Sequence, residues 1–388
     1  MVAGHLQKKN GKYYMVLSYI GGTGKRKTKW MATGLPVKGN KRRAEQMLME
    51  MRKRFVAEET PISGEILFAD FVRQWLEINK RSIATTTYAG YMTMLNSRID
   101  PYFRKTKVTL QAIRATDIQR FYMDALKNTK ATTIIHYHGV IRKALQYAVK
   151  NDLILTNPAD KIDRPKKEPF MAGFYDSEEI EKLFEAAKGT ALEIPVVLGA
   201  FYGMRRSEVI GLRWRDIDFQ RNTISVQHTV TCCTLNGERT LLKQDTTKSK
   251  SSRRTLPLIP AFKEKLLEAQ QKQEEYKRLC GRCYDKRYLE YVCVDQMGVL
   301  MRPDYLTQTF PVFLKKHGLR RIRFHDLRHS CASLLLANGV PMKQIQEWLG
   351  HSDFSTTANI YAHLEFESKI SSAEAMASGL KGAIEAIS

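Results

Sequence analysis

What the chain lacks narrows it first. No stretch of its 388 residues is long and apolar enough to read as a membrane span. No lipidation motif is present, and no segment joins a charged start to an apolar middle as a secretory leader does. The expectation is a cytoplasmic protein with no membrane partner. Acids are scarce: 40 Asp and Glu face 63 Lys and Arg, a formal net charge of +23. That excess calls for an anionic partner. With the membrane signals missing, nucleic acid is the first candidate.

Cysteine is sparse as well. The six are Cys232, Cys233, Cys280, Cys283, Cys293 and Cys331. In a large cytosolic chain they are expected to be reduced. Cys280 and Cys283 have zinc-ligand spacing, with Cys293 as a third sulfur, but no second paired motif completes a site. Ordinary thiols are the expectation, and no metal or other cofactor is implied.

The length suits two or three domains. Charge marks the first: residues 1–60 hold 14 Lys and Arg against four acids. Residues 12–20 (KYYMVLSYI) are rich in aromatic and β-branched types, as strands are. Gly21, Gly22 and Gly24 mark a turn. Residues 25–33 (KRKTKWMAT) read as a second strand, and residues 40–57 as a basic helix. A small sheet with a basic face suits DNA, since a β-ribbon enters a major groove while Lys and Arg neutralise phosphates. Lys25, Arg26, Lys27 and Lys29 are the candidate contacts; a merely solvated hairpin is the plainer alternative.

A polar linker at 58–65 (EETPISGE) precedes a helical stretch from Leu67 to about Val149. Phe68, Phe71, Val72, Trp75 and Leu76 recur at helical spacing, as do Tyr88, Tyr91, Met92 and Leu95. Another helix opens near Thr116 and Asp117 and is expected to bury Ile118, Phe121 and Leu126, and a further one carries Ile134, Tyr137, Val140, Ile141, Leu145 and Ala148. Four or five helices make a small bundle, with Lys107 and Arg114 as candidate phosphate contacts. A charged linker at 156–168 (TNPADKIDRPKKE) suits two modules closing around a rod of DNA. The expected domains are therefore 1–60, 66–155 and 170–388.

The chemistry-bearing residues fall in the last of these. An enzyme attacking a phosphodiester needs cations at the non-bridging oxygens, a nucleophile, and an acid for the leaving oxygen. In residues 196–218, Val197, Leu198, Phe201 and Tyr202 suggest a buried helix that reaches Arg205. Ser207 then looks like the N-cap of a second helix, and Glu208 stands where an acid can hold Arg205 in place. Residues 246–258 (TTKSKSSRRTLPL) follow an apparent strand at 224–226 and form a polar turn bearing Lys248 and Lys250. A lysine there can serve as general acid.

In residues 323–332 (RFHDLRHSCA), His325 and Arg328 lie at i and i+3, on one helix face. His325 and His329 also have the spacing of a helical metal pair, but Asp326 replaces the expected Glu and no third ligand is evident. In residues 349–363 (LGHSDFSTTANIYAH), His351 precedes a helix start at Ser352 or Asp353, and Tyr361 follows ten residues later. A phenol with a pKa near 10 is a poor nucleophile unaided. Neighbouring Arg and His cations change that.

GMRRSE, HDLRH and LGHSDFSTTANIY together resemble the boxes of the tyrosine recombinase (phage integrase) family over most of residues 170–365. The resemblance implies that Arg205 and Arg328 clamp the scissile phosphate. It implies that Lys248, or Lys250 in another register, protonates the leaving 5′ oxygen. His325 would assist proton transfer, His351 would hydrogen-bond the phosphate, Glu208 would support the site, and Tyr361 would be the nucleophile. The order of modules resembles integrases of the lambda and conjugative-transposon type.

The implied fold is multidomain and mainly α with small β-sheets: an arm-binding sheet plus helix, a helical core-binding bundle, and a mixed α/β catalytic domain. The implied reaction cuts and rejoins double-stranded DNA at core sites through a 3′-phosphotyrosine, without metal or ATP, to integrate and excise a prophage or conjugative transposon. Implied partners are arm-type sites, three further copies in a tetramer on a Holliday junction, a host DNA-bending protein and an excision factor. The C-terminal residues from Leu364 would dock on a neighbouring protomer and gate Tyr361; a helix packed on its own domain, or a frayed end, is the plainer alternative. A non-catalytic regulator, a type IB topoisomerase and a metal-dependent nuclease are the competing readings.

Overall fold

A computed structural model describes residues 3–20, 26–58, 66–166, 173–235, 237–245 and 253–350. Lys25, Lys248, Lys250, His351, Tyr361 and the tail from Leu364 lie outside the described residues. The chain divides into two compact units, Met1–Pro169 and Phe170–Ser388.

The first unit opens with an antiparallel sheet in the order β1 (Ala3–Lys9), β2 (Lys12–Ile20), β3 (Arg26–Pro36). The sequence reading had β2 and β3 but not β1. Its signal was the turn: Asn10 and Gly11 both take positive φ, 52° and 71°, as a two-residue hairpin turn requires. Helix α1 (Lys41–Glu58) lays Leu48 against Met15 and Leu17, which share one face of β2 because side chains alternate along a strand.

The bundle follows: α2 (Phe68–Asn79), α3 (Thr85–Met94), α4 (Asp100–Thr106), α5 (Ala115–Leu126) and α6 (Ala131–Lys150). A π-helical turn at Leu95–Ile99 joins α3 to α4. The apolar stripes face inward as their spacing dictates, with Phe68, Val72, Leu76, Ile118, Phe121, Ile134 and Ile141 buried, but Leu126, expected inside, is 41% exposed because it is the last residue of α5. Ring contacts tie the helices together: Phe68 to Phe103 at 4.8 Å, Phe103 to Phe121 at 5.3 Å, and Phe121 to Tyr137 at 5.7 Å between centroids.

The second unit wraps helices around a main apolar core, beside a smaller cluster of Cys331, Ala332, Ile345 and Leu349. Its helices are α7 (Ser177–Ala187), α8 (Glu193–Ala200), α9 (Arg206–Gly211), α10 (Pro260–Cys280), α11 (Pro303–Lys316), α12 (Asp326–Ala337) and α13 (Met342–Leu349). A sheet runs β4 (Ile217–Asp218), β5 (Thr223–Val226), β8 (Arg254–Pro257), and a separate hairpin joins β6 (Thr229–Leu235) to β7 (Glu238–Gln244).

Three sequence expectations are corrected here. The helix before Arg205 ends at Ala200, leaving Phe201 and Tyr202 beyond it. Strand β5 does not lead into the lysine segment; β6 and β7 intervene, so that segment joins β7 to β8. The cap of α9 is Arg205 rather than Ser207, because the Glu208 carboxylate, three residues on, accepts the Arg205 backbone N–H at 2.9 Å.

Candidate active site

Three loops converge by simple means. After α8, Gly203 turns the chain with φ +60°, and a side chain there would strike Leu349 Cδ2 at 2.4 Å. The turn delivers Arg205 to the head of α9. The C-terminal end of α13, closed by Gly350 at φ 66°, leaves last-turn carbonyls without helical partners. Arginines take them. Arg328, in the first turn of α12, donates to Gly203 O and Leu349 O, both at 2.5 Å. Arg205 Nη2 donates to Gly350 O at 3.0 Å.

One carboxylate organises the cluster. Glu208 is buried and accepts Arg205 Nη1 on Oε1 at 2.7 Å. Its Oε2 accepts Arg254 Nη2 at 3.0 Å. Burial alone would raise the Glu208 pKa, but the Arg254, Arg205 and Arg328 guanidiniums outweigh it and hold the carboxyl below the usual range. Burial pushes Arg328 down to about 9, with Arg205 and Arg254 adding like-charge repulsion. An anion entering this cluster relieves that repulsion. The Arg205 side chain remains 32% exposed, whereas Arg328 is 2% exposed, so Arg205 is the member that meets solvent.

His325 caps α12, one turn before Arg328. Its ring meets His329 edge-on at 5.4 Å. Surrounding protein, then His329 and Arg328, push its pKa below the ordinary imidazole value. The residue nevertheless reaches solvent. The neutral ring is therefore the resting form at neutral pH. His329 is displaced the same way, by burial first, and its Nδ1 has no hydrogen-bond partner.

Arg205, Glu208 and Arg328 thus come together, and His325 stands at the head of the helix that carries Arg328. Arg254 was missed. It sits in a run dense with Lys and Arg, yet strand alternation places it on the face of Leu256 and Leu258, which are buried. An arginine pointing inward was the available signal. Lys248, His351 and Tyr361 fall outside the described residues.

A second polar network flanks the lysine segment. Asp245 Oδ1 meets Arg213 Nη1 at 2.7 Å and His228 Nδ1 at 2.8 Å, and Arg253 Nη2 donates to Asp245 O at 2.9 Å. The thiols do not gather: Cys293 is buried with Sγ on Val209 O, while Cys280 contacts Gln296 O. Among the described residues no group of three His, Cys, Asp or Glu side chains could hold a metal. In the first unit, Lys29, Lys107 and Arg114 are exposed. Trp30 is 47% exposed beside Lys29, with the Lys9 ammonium 5.9 Å from its ring centroid. No helix among the described residues is long and apolar enough to cross a membrane.

Residues 174–368 match the Phage integrase family, and residues 67–126 match its N-terminal SAM-like domain. A tyrosine recombinase XerC-like protein of Caldanaerobacter subterraneus is 30% identical, with 80% of this chain and 83% of that protein covered. The ICEBs1 integrase of Bacillus subtilis is 26% identical over 85% of this chain and 88% of its own length. Among solved structures, the Tn1549 transposon integrase in complex with transposon right-end DNA superposes with a TM-score of 0.65, at 18% identity, covering 80% of this chain and 100% of that one. A lambda integrase tetramer bound to a Holliday junction gives 0.54, at 17% identity, over 90% and 95%.

Proposed function

The chain belongs to the phage integrase family of tyrosine recombinases, which carry out site-specific DNA recombination, and from that premise we propose how its own residues do the work. Arg205 and Arg328 bind the two non-bridging oxygens of the scissile phosphate. Glu208 holds Arg205. The Tyr361 hydroxyl attacks phosphorus and passes its proton to the neutral imidazole of His325. A 3′-phosphotyrosine forms as the bond to the 5′ oxygen breaks. Lys248, or Lys250, protonates that oxygen, and His351 donates to the phosphate. A 5′ hydroxyl from the partner strand then attacks the phosphotyrosine and frees Tyr361. The phosphodiester's energy is kept in the covalent link, so the scheme needs neither ATP nor a metal.

One observation carries this reading. Three guanidiniums surround a single buried carboxylate, and the most exposed of them, Arg205, meets solvent. A site preloaded with excess positive charge is built for an anion that develops further charge in the transition state. The neutral resting form of His325 suits a group that must first accept a proton.

The proposal extends to the modules. Residues 1–60 bind arm-type sites through the basic sheet, using Lys25, Arg26, Lys27 and Lys29. Residues 66–155 bind the core site, with Lys107 and Arg114 on phosphates, and residues 170–388 cut it. Four copies act on two duplexes, with a host DNA-bending protein and an excision factor, to integrate and excise a prophage or a conjugative transposon in the bacterial nucleoid. The tail from Leu364 docks on a neighbouring protomer.

The test is a nicked suicide substrate carrying the element's end sequence, incubated in EDTA without ATP and run on a denaturing gel. A protein–DNA adduct that vanishes in Tyr361→Phe is the expected result. No adduct on bound substrate would overturn the covalent mechanism.

A further inference from the structure

Arg254 lies outside the residues assigned to the reaction above, yet it is built into their support. Its side chain is 6% exposed, and Nη2 donates to Glu208 Oε2 at 3.0 Å. That oxygen also accepts the Arg205 backbone N–H, while Oε1 accepts the Arg205 guanidinium. The two arginines therefore share one carboxylate from opposite sequence elements: Arg205 from the head of α9, Arg254 from the first position of β8, paired in register with Val226 on β5.

Both bonds from Arg205 come from the same helix head, so the carboxylate and the Arg205 guanidinium can still tilt together. A second arginine on Oε2, reaching in from a different element, closes off that tilt. Burying an arginine that makes no contact with substrate costs desolvation unless its pairing is needed. Strand β8 is an edge strand, and its antiparallel pairing with the central strand β5, from Arg254 opposite Val226 to Pro257 opposite Thr223, fixes where Arg254 starts.

We propose that Arg254 is a positioning residue for the recombination reaction: it locks Glu208 so that Arg205 is presented to the scissile phosphate in one orientation. The inference rests on the reading above that Arg205 contacts that phosphate. Arg254 acts through Glu208 and Arg205 and does not itself touch DNA.

A double-mutant cycle on the full chain tests this. The rate of covalent adduct formation is measured in single turnover on the suicide substrate at saturating protein, alongside the Kd for the same DNA. Arg254→Gln should lower the rate by roughly 10–100-fold, the range seen when a residue that orients a ligating group is removed, with the Kd unchanged. Combined with Arg205→Ala, it should add nothing beyond about twofold, the scatter of non-interacting changes. Independent, multiplicative losses would overturn the proposal, as would a wild-type rate in Arg254→Gln. Should Arg254→Gln fail to fold, Arg254→Lys enters the same cycle, since it keeps the charge but not the fork. Its deficit must also vanish in the Arg205→Ala background; a deficit that persists there, or no deficit at all, overturns the proposal. A wild-type rate in Arg205→Ala alone would instead overturn the phosphate-clamp reading itself.

Discussion

The two units bury different things. Among the described residues of the first unit, the buried polar side chains are Thr33, His138 and Asn157, none of them an acid, a lysine or an arginine. The second unit buries Glu208, Arg213, Asp216, Asp326 and Arg328. The bundle is held by aromatic and aliphatic packing, the cheapest way to gain stability. Burying an ion costs several kcal/mol even after relaxation, so charge hidden in a core is weak evidence of stabilisation. Of these five, Glu208 and Arg328 belong to the arginine cluster, where the proposed function gives the fixed guanidiniums a phosphate to hold. The same contrast predicts how each unit responds to change: the first in stability, the second in rate.

The largest effect should come from Arg328→Ala. It removes two hydrogen bonds to carbonyls and the deepest cation of the cluster. Loss of one transition-state donor typically costs about 10²–10³ in rate, and a broken buried ionic network costs about 3–5 kcal/mol of stability. Single-turnover adduct formation and urea unfolding of the same sample measure both. A rate within a few-fold of wild type would break the contrast.

Phe121→Ala sharpens it from the other side. Phe121 packs on Tyr102, Phe103, Tyr122 and Tyr137 with 1% exposure. Its truncation should cost about 3–5 kcal/mol. The adduct rate of the folded, DNA-bound protein should stay within about threefold, because nothing in the arginine cluster depends on that ring. A large rate loss at saturating DNA would show that the bundle's interior tunes the chemistry.

The contrast also explains what the sequence reveals. The bundle's stripes are legible because burial and periodicity coincide: Phe68, Phe71, Val72, Trp75 and Leu76 all turn inward. Arg205, Glu208 and Arg328 are legible as residue types in recognisable boxes. What bonds to them is not, since Arg328 and Arg205 are held by the carbonyls of Gly203, Leu349 and Gly350, and a carbonyl has no letter of its own. Arg254 is hidden for a different reason. Its neighbours in TTKSKSSRR are charged too, and composition masks the alternation that turns it inward. Strand β1 (AGHLQKK) is poor in strand-forming residues and is fixed by its pairing with β2, from Ala3 opposite Ser18 to Lys9 opposite Lys12.

Gly203→Ala is a smaller probe of the backbone acceptors. The residue holds φ +60°, and its Cβ would fall 2.4 Å from Leu349 Cδ2 and 3.1 Å from Cys331 Sγ. Strain of this kind costs about 1–3 kcal/mol. The carbonyl that receives Arg328 should shift with it, so the adduct rate should fall while DNA affinity holds. A stability loss with an unchanged rate would mean that Gly203 serves packing alone.

The smallest effect concerns protons in the first unit. His138 is buried, with Nδ1 2.9 Å from the Tyr122 hydroxyl. Burial, then the Arg164 and Arg142 cations, lower its pKa below the ordinary imidazole value, against a weaker pull from Asp160. The unfolded chain therefore binds a proton that the folded bundle resists. The stability contributed by the neutral ring is complete above about pH 6.5, the unfolded value, and drains away as pH falls toward the lowered folded value. Amide hydrogen exchange of α5 and α6 should thus quicken between pH 7 and 5 beyond its intrinsic pH dependence. His138→Gln, which cannot take up the proton, should remove that excess. If the excess persists in His138→Gln, another group carries the pH response of the bundle, and its one buried imidazole is a packing residue like its aromatic neighbours.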